Sequence, residues 1–316
     1  LRTSADRRDA VVIATHTGAD DVRVKMRWWL TRGPAGWAVY DHEDLDLGVR
    51  ATHVGGLLLA ASQADPAKMQ RLLKFRQLLP AFQAMLVGDL PEARRLLDDL
   101  RGADLPGPLG DLHEVAEARY SFLSSEPAAA RDRLDRVIAR NPDMPVAFAL
   151  RSAVRGQLDD YDGGAADAER YLAALGPEPD VLFWLGFSRE GKGESAAATA
   201  YRKSLDEQPS HSDALHGLRR VLPKGEKGEL ADRLAAVADP AAVYDNLWEF
   251  AARDGDTAGQ AALAAGLAKA VPADPRGHAG LIRAAADADA VVARYKAGMA
   301  AVPEADAKPV LDAFLG

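Results

Sequence analysis

From Val22 to Thr31 apolar and polar residues alternate. Val22, Val24, Met26, Trp28 and Leu30 fall on one side, and Arg23, Lys25, Arg27, Trp29 and Thr31 on the other. A period of two with one apolar side predicts a β-strand covered on one face. Strands are also predicted over Asp9–Thr17 and Trp37–Asp41, with turns at Gly18-Ala-Asp-Asp21 and Gly33-Pro-Ala-Gly36. Three such strands need a cover for their apolar face. The helix expected from Val49 to Ser62, with Val54, Leu57, Leu58 and Ala61 on one stripe, is the nearest candidate. The hairpin holds three of the chain's five tryptophans, and these are expected to be buried and to cap the first helical unit. Asp41-His-Glu-Asp-Leu-Asp46 carries four carboxylates but lacks the Gly and distal Glu of a calcium loop, so it reads as a solvated linker.

From Pro66 the pattern changes to helical stripes of 11 to 16 residues separated by short breaks. Several breaks pair Gly with an acid: Gly88-Asp89, Gly193-Glu194 and Gly255-Asp256. Gly reaches positive φ where the chain reverses, and the acid caps the next helix. Asp89-Leu-Pro-Glu92 and Thr257-Ala-Gly-Gln260 have capping-box spacing, while Asp65-Pro66 and Asp239-Pro240 place proline in a first turn. Pro142, Pro209 and Pro275 are expected to end helices. Pro80 should kink or split its helix. Asp159-Asp-Tyr-Asp-Gly-Gly164 reads as a long turn, and Pro223-Lys-Gly-Glu-Lys-Gly228 shortens the helices around it.

Seven residues before the three glycines stand Ala81, Gly186 and Trp248, and Ala93, Ala130, Ala168 and Ala197 stand early in second helices. In the stretch Leu182–Pro209, the residues Leu185-Gly186, Ala197, Tyr201, Leu205 and Pro209 fall at set offsets. This resembles the tetratricopeptide repeat (TPR), a helix–turn–helix unit of about 34 residues, and the resemblance extends over roughly residues 66–302. It implies a mainly α fold: a TPR-like right-handed α-solenoid of about seven hairpins, preceded by a small three-stranded antiparallel β-sheet, with units three and five distorted. It also implies a concave groove lined by first helices. Carried onto this chain, the groove positions are Leu78, Phe82 and Met85; Val115, Arg119 and Phe122; Phe183, Phe187 and Glu190; Asp245, Glu249 and Ala252. Of these, Phe82, Met85, Arg119, Phe122, Phe183, Phe187 and Glu190 are the candidate partner-binding residues. No Lys/Asn/Arg set matches the family's carboxylate clamp. Trp37-Ala-Val-Tyr-Asp41 resembles the last strand of an NTF2-like or cystatin-like α+β domain.

Charge and motifs narrow the function. A net charge of −8 argues against a general nucleic-acid or anionic-membrane binder. The absence of cysteine excludes disulfides, thiolate metal sites and a cysteine nucleophile. The apolar run Val54–Ala61 is far short of the ~20 residues that span a bilayer. Gly186–Gly193 approaches a phosphate-binding loop but lacks its hydroxyl and its preceding strand. Asp160–Glu169 mimics part of a calcium loop whose first ligand would be Leu158. None of the seven histidines forms a metal-ligating pair. No catalytic, cofactor or metal residues are therefore assigned.

The expected organisation is a β-meander over 1–48, a connecting helix over 49–65 and the solenoid over 66–316. A start at Leu1 and an apolar end at Val310–Leu315 are expected of a piece of a longer protein. The expected function is a non-enzymatic scaffold that binds a protein or peptide segment in the groove, without nucleic acid or membrane insertion, and monomeric by itself. The cytoplasm is the default compartment, with an extracytoplasmic part of a larger protein as the alternative. The rival reading is a mount for an NTF2-like domain that binds a small molecule or is catalytic.

Overall fold

A computed structural model of the chain describes residues 2–17, 23–45, 47–64, 66–103 and 105–316. The first expected turn, Val22, Asp46 and the Asp65 cap lie outside them. The chain divides into two compact units, Leu1–Gly176 and Pro177–Gly316.

The first unit begins with an antiparallel meander of five strands in sequence order: β1 (Arg2–Thr3), β2 (Asp9–Thr17), β3 (Arg23–Gly33), β4 (Gly36–Asp44) and β5 (Val49–Arg50). The three long strands are those the alternation predicts. Two short strands add to the edges, and β4 runs on past Asp41 because Arg27 pairs with Glu43 and Met26 with Asp44.

The expected polarity of this sheet is reversed. Lys25 is 4% exposed and Glu43 5%, and Asp41 is buried too, whereas Val24, Met26, Trp28 and Leu30 on the other face are only half-buried. Each buried charge has a partner that sequence distance hides. The Arg27 guanidinium meets Glu43 at 3.1 Å. The Lys25 ammonium lies 5.5 Å from the Tyr171 ring centre. Asp41 accepts from the Thr52 hydroxyl at 2.7 Å and from the N–H groups of Thr52 and His42, so this part of the acidic linker ties the sheet to the next helix rather than being solvated. The tryptophans are no plug: Trp37 is 45% exposed, and Trp28 stacks on His42 at 5.3 Å. The sheet joins the helices through buried Leu45, through Leu47 and Val49 on the unit's core, and through Gly48, where a Cβ would come within 3.0 Å of the Met144 side chain.

Helix α1 (Ala51–Ala64) is followed by α2 (Pro66–Leu73) and a 3-10 turn over Lys74–Gln77. The α1 stripe packs on Leu72 and Leu109 and meets Met26 across a cavity of about 480 Å³, instead of covering the sheet. Helix α3 (Leu78–Leu86) starts two residues before Pro80. The proline ring clashes with the carbonyl of residue i−4, so the α-ladder is split there as expected. Then come α4 (Leu90–Asp98), α5 (Pro108–Leu123), α6 (Pro127–Arg140), α7 (Pro145–Gln157) and α8 (Tyr161–Leu175).

The second unit holds α9 (Pro179–Gly191), α10 (Ala196–Glu207), α11 (Ser212–Val221), α12 (Gly228–Ala235), α13 (Pro240–Arg253), α14 (Thr257–Ala270), α15 (Pro275–Arg283), α16 (Ala288–Ala301) and α17 (Lys308–Leu315). Pro275 thus opens a helix; it sits at the first position behind the Asp274 cap, where a missing N–H costs nothing. Paired in order from α3 to α16, the helices make the seven hairpins expected.

Five hairpin turns follow one hydrogen-bond plan. Gly88, Ser125, Asp159, Gly193 and Gly255 take φ of 77°, 62°, 58°, 71° and 67°. Each donates its N–H to the carbonyl three residues back, and the next residue donates to the carbonyl five back at 2.8 to 2.9 Å. This left-handed stop satisfies the last carbonyls of the first helix. Asp89, Asp160 and Asp256 then accept from the N–H three residues on, at 3.1, 3.1 and 2.8 Å. The cap of α14 is therefore Asp256, not Thr257. Asp160 likewise starts α8 at Tyr161, so the expected long turn is an ordinary one with both glycines inside the helix. Unit three is regular; unit five is short, as expected, with helices of 10 and 8 residues around a 3-10 turn over Lys224–Glu226.

Candidate functional site

The small residue expected in a first helix has a clear use at Gly186. A Cβ there would lie 2.6 Å from the Tyr201 ring, and one at Gly217 of α11 would lie 2.4 Å from it. The Tyr201 ring is thus held between α9 and α11 by two residues without side chains. Its hydroxyl donates to Glu190 at 2.5 Å, and Glu190 also accepts from Arg220 Nε and Nη2 at 2.6 and 2.8 Å. Burial would raise the Glu190 carboxyl, but the hydrogen bonds from Arg220 and Tyr201 outweigh it and hold it below the usual range. Burial, with Glu190 adding to it, pushes the Tyr201 hydroxyl up.

Above this anchor three aromatic residues of α9 form a half-buried cluster. Phe183 and Trp184 lie 4.9 Å apart edge to face, Trp184 and Phe187 5.4 Å, and Phe183 and Phe187 6.3 Å. Phe183 also touches Tyr201 and the ring of His211 at 6.0 and 5.6 Å. His211 caps α11, its Nδ1 accepting from the Ala214 N–H while Nε2 meets the Asp180 carboxylate at 3.0 Å.

No protein-family model matches the chain. It is 30% identical to Hsp70-Hsp90 organizing protein 2 of Arabidopsis thaliana over 152 residues, 45% of this chain and 25% of that protein. It is 34% identical over 106 residues to the probable biofilm formation methyltransferase WspC of Pseudomonas aeruginosa, 30% of this chain and 24% of that protein. The chain thus spans about a quarter of the length of these curated relatives. A tetratricopeptide repeat protein from Parabacteroides merdae superposes with a TM-score of 0.43 at 12% identity, covering 77% of this chain and all of that one. The hairpins are TPR-like. Their seven pairs, their common left-handed stops and the glycine-to-ring contact at Gly186 and Tyr201 all carry that repeat's logic.

Within the TPR-like hairpins the expected groove residues divide. Met85, at 3% exposure, lies inside the core of the first unit, as do Leu78 and Val115, so these three are packing residues. Phe82 and Phe122 are half-buried against the same core, and Arg119 is exposed. Phe183 and Phe187 share the α9 cluster, with Phe183 against the core of the second unit. Glu190 is spent on Arg220 and Tyr201. Asp245, Glu249 and Ala252 are exposed, with Asp245 paired to Arg276 at 2.6 Å. Trp184 belongs with the cluster and was missed, although three aromatics within five residues of one helix was the available signal.

Among the described residues no three His, Asp or Glu side chains are grouped to hold a metal ion. Among them, too, no helix is long and apolar enough to cross a membrane.

Proposed function

We propose that this chain is a non-enzymatic protein-interaction scaffold that takes a partner segment on the aromatic surface of α9. The observation that carries the reading is the cluster of Phe183, Trp184 and Phe187, half-buried and braced from beneath by Tyr201, Glu190 and Arg220. Rigid aromatic anchors contribute most of the energy in many interfaces, because they bury much area at little entropic cost. The similarity to an organizing protein supports the same reading.

The test is capture on the immobilised chain, identification of what binds, and titration with the purified partner. Phe187→Ala should weaken that partner by roughly ten-fold or more, as loss of a hot-spot aromatic does. Leu86→Ala, on an exposed α3 residue, should leave it unchanged. Equal binding by wild type and Phe187→Ala refutes the α9 surface.

A further inference from the structure

A second site lies wholly within the first unit. Between the charged face of the sheet and helices α7 and α8 there is a cleft of about 620 Å³, within the range of small-molecule sites. Arg27, Arg50 and Arg170 line it, each beside an aromatic ring. The Arg50 guanidinium lies 3.9 Å from the centre of Trp29, with Arg27 at 5.6 Å from the same ring. Arg170 lies 4.1 Å from the centre of Phe148, and its Nη2 donates to the Pro142 carbonyl at 2.9 Å.

The charge balance of this cleft is unusual for a chain of net charge −8. Elsewhere in this unit half-buried Arg94 is committed to Glu117, Arg133 to Glu114 and Arg151 to Asp167. Here Arg27 is matched by Glu43, but among the described residues Arg50 and Arg170 form no salt bridge. Arg50 lies in the field of Asp41 and Glu43, whose carboxylates are bonded to Thr52 and Arg27, and Asp143 stands exposed at the rim. A guanidinium stacked on a ring keeps its N–H fork free and has already lost much of its rotamer freedom. It is therefore pre-organised for an oxyanion. The other walls, Val11, Ile13, Tyr171 and Leu175 among them, are largely apolar and suit a hydrocarbon or aromatic body.

We propose that this cleft binds a small organic oxyanion, a carboxylate or phosphate carried on an apolar body. Arg50 and Arg170 supply the hydrogen-bond forks, while Trp29 and Tyr171 flank the body. The site is assembled from residues 11 to 50 and 142 to 176, so it needs both the sheet and the third hairpin.

The full chain would be titrated with benzoate, phenyl phosphate, inorganic phosphate and neutral benzamide, following the Trp29 indole N–H by NMR, with Trp29→Phe to assign the signal. Benzoate or phenyl phosphate should shift that signal saturably at millimolar concentration, and the tighter of the two names the oxyanion. Arg50→Gln and Arg170→Gln should each weaken it by about ten-fold or more, the loss of one charged, two-pronged hydrogen bond. Arg170 is exposed, so its variant keeps the wild-type melting temperature and decides the matter if Arg50→Gln does not fold. No shift with either organic anion, equal binding of benzamide or inorganic phosphate, or wild-type affinity in Arg170→Gln would each overturn the proposal.

Discussion

The hairpin α9/α10 and its neighbour α11/α12 solve the same problem differently. In the first, helices of 13 and 12 residues are closed by the Gly193 stop and meet along a nearly apolar seam around Tyr201. In the second, Pro223 holds an extended ψ of 150°, the turn opens into 3-10, and α12 packs chiefly on α14 rather than on α11. There a Cβ on Gly266 of α14 would come within 2.7 Å of the Ala231 carbonyl of α12. What ties α11 to the turn between α13 and α14 is charge. Arg219, 1% exposed, donates to Asp254 and, at 2.9 Å, to Asp256. Lys227 donates to Asp256 at 2.9 Å and to the Arg219 carbonyl. A periodic stripe suffices where the turn closes itself; where the turn opens, an ion cluster around buried Arg219 and Lys227 takes over.

The largest test of that contrast is Asp256→Ala. It leaves Lys227 without a carboxylate and Arg219 with Asp254 alone, and it removes the α14 cap; breaking a buried ion pair costs about 3–5 kcal/mol. Urea unfolding should show this as a lower midpoint, and a loss under ~1 kcal/mol, typical of exposed pairs, would erase the distinction. On the apolar side, Gly217→Ala drives a methyl into the Tyr201 ring and should cost ~2 kcal/mol by overpacking. The cost should shrink when Tyr201→Leu accompanies it.

Acid sharpens the comparison further. Burial, aided by the fields of Arg220 and Arg219, lowers the His216 pKa from 6.5 to about 4. The unfolded chain therefore takes up the proton first, so the associated stability is complete above about pH 6.5 and lost as pH falls towards 4. Allowing for screening at this half-exposed ring, roughly 1 kcal/mol is at stake, and His216→Phe should flatten the melting temperature over that window. In the first unit the comparable group is Glu117. Burial would raise it, but the neighbouring His113 and the two hydrogen bonds from Arg94 hold it at about 2, so its contribution persists until the pH drops below about 4.5. The smallest effect belongs to the turns. Ser125→Gly relieves a left-handed φ of 62° and should stabilise by about 0.5–1 kcal/mol, read as a rise of a few degrees in melting temperature.

The helical body was legible because its turns announce themselves: Gly88, Gly193 and Gly255 each precede an acid, and all three adopt the stop. Ser125 and Asp159 do the same without glycine, since a short polar side chain tolerates the left-handed region; nothing at Ser125 announces the stop, and Asp159 reads only as the start of a longer turn. The sheet's polarity was illegible for a different reason. Alternation says which residues share a face, but not which face is covered, and Arg27 becomes burial-compatible only once register sets it opposite Glu43. The α9 aromatics could be found because they are local. The cleft could not, since Arg50 and Arg170 are brought together by tertiary structure alone. Met85 shows the limit of carrying groove positions by offset: the 3-10 turn before Pro80 starts α3 afresh, and Met85 falls on its inward side.

The Tyr201 ring works as a peg seated in two facing sockets. Helices α9 and α11 cannot slide along one another without forcing a backbone into the ring, although they can still rock about it. Whatever lands on Phe187 therefore meets a surface of fixed height, and a pull on that surface passes to α11 as rotation rather than slippage.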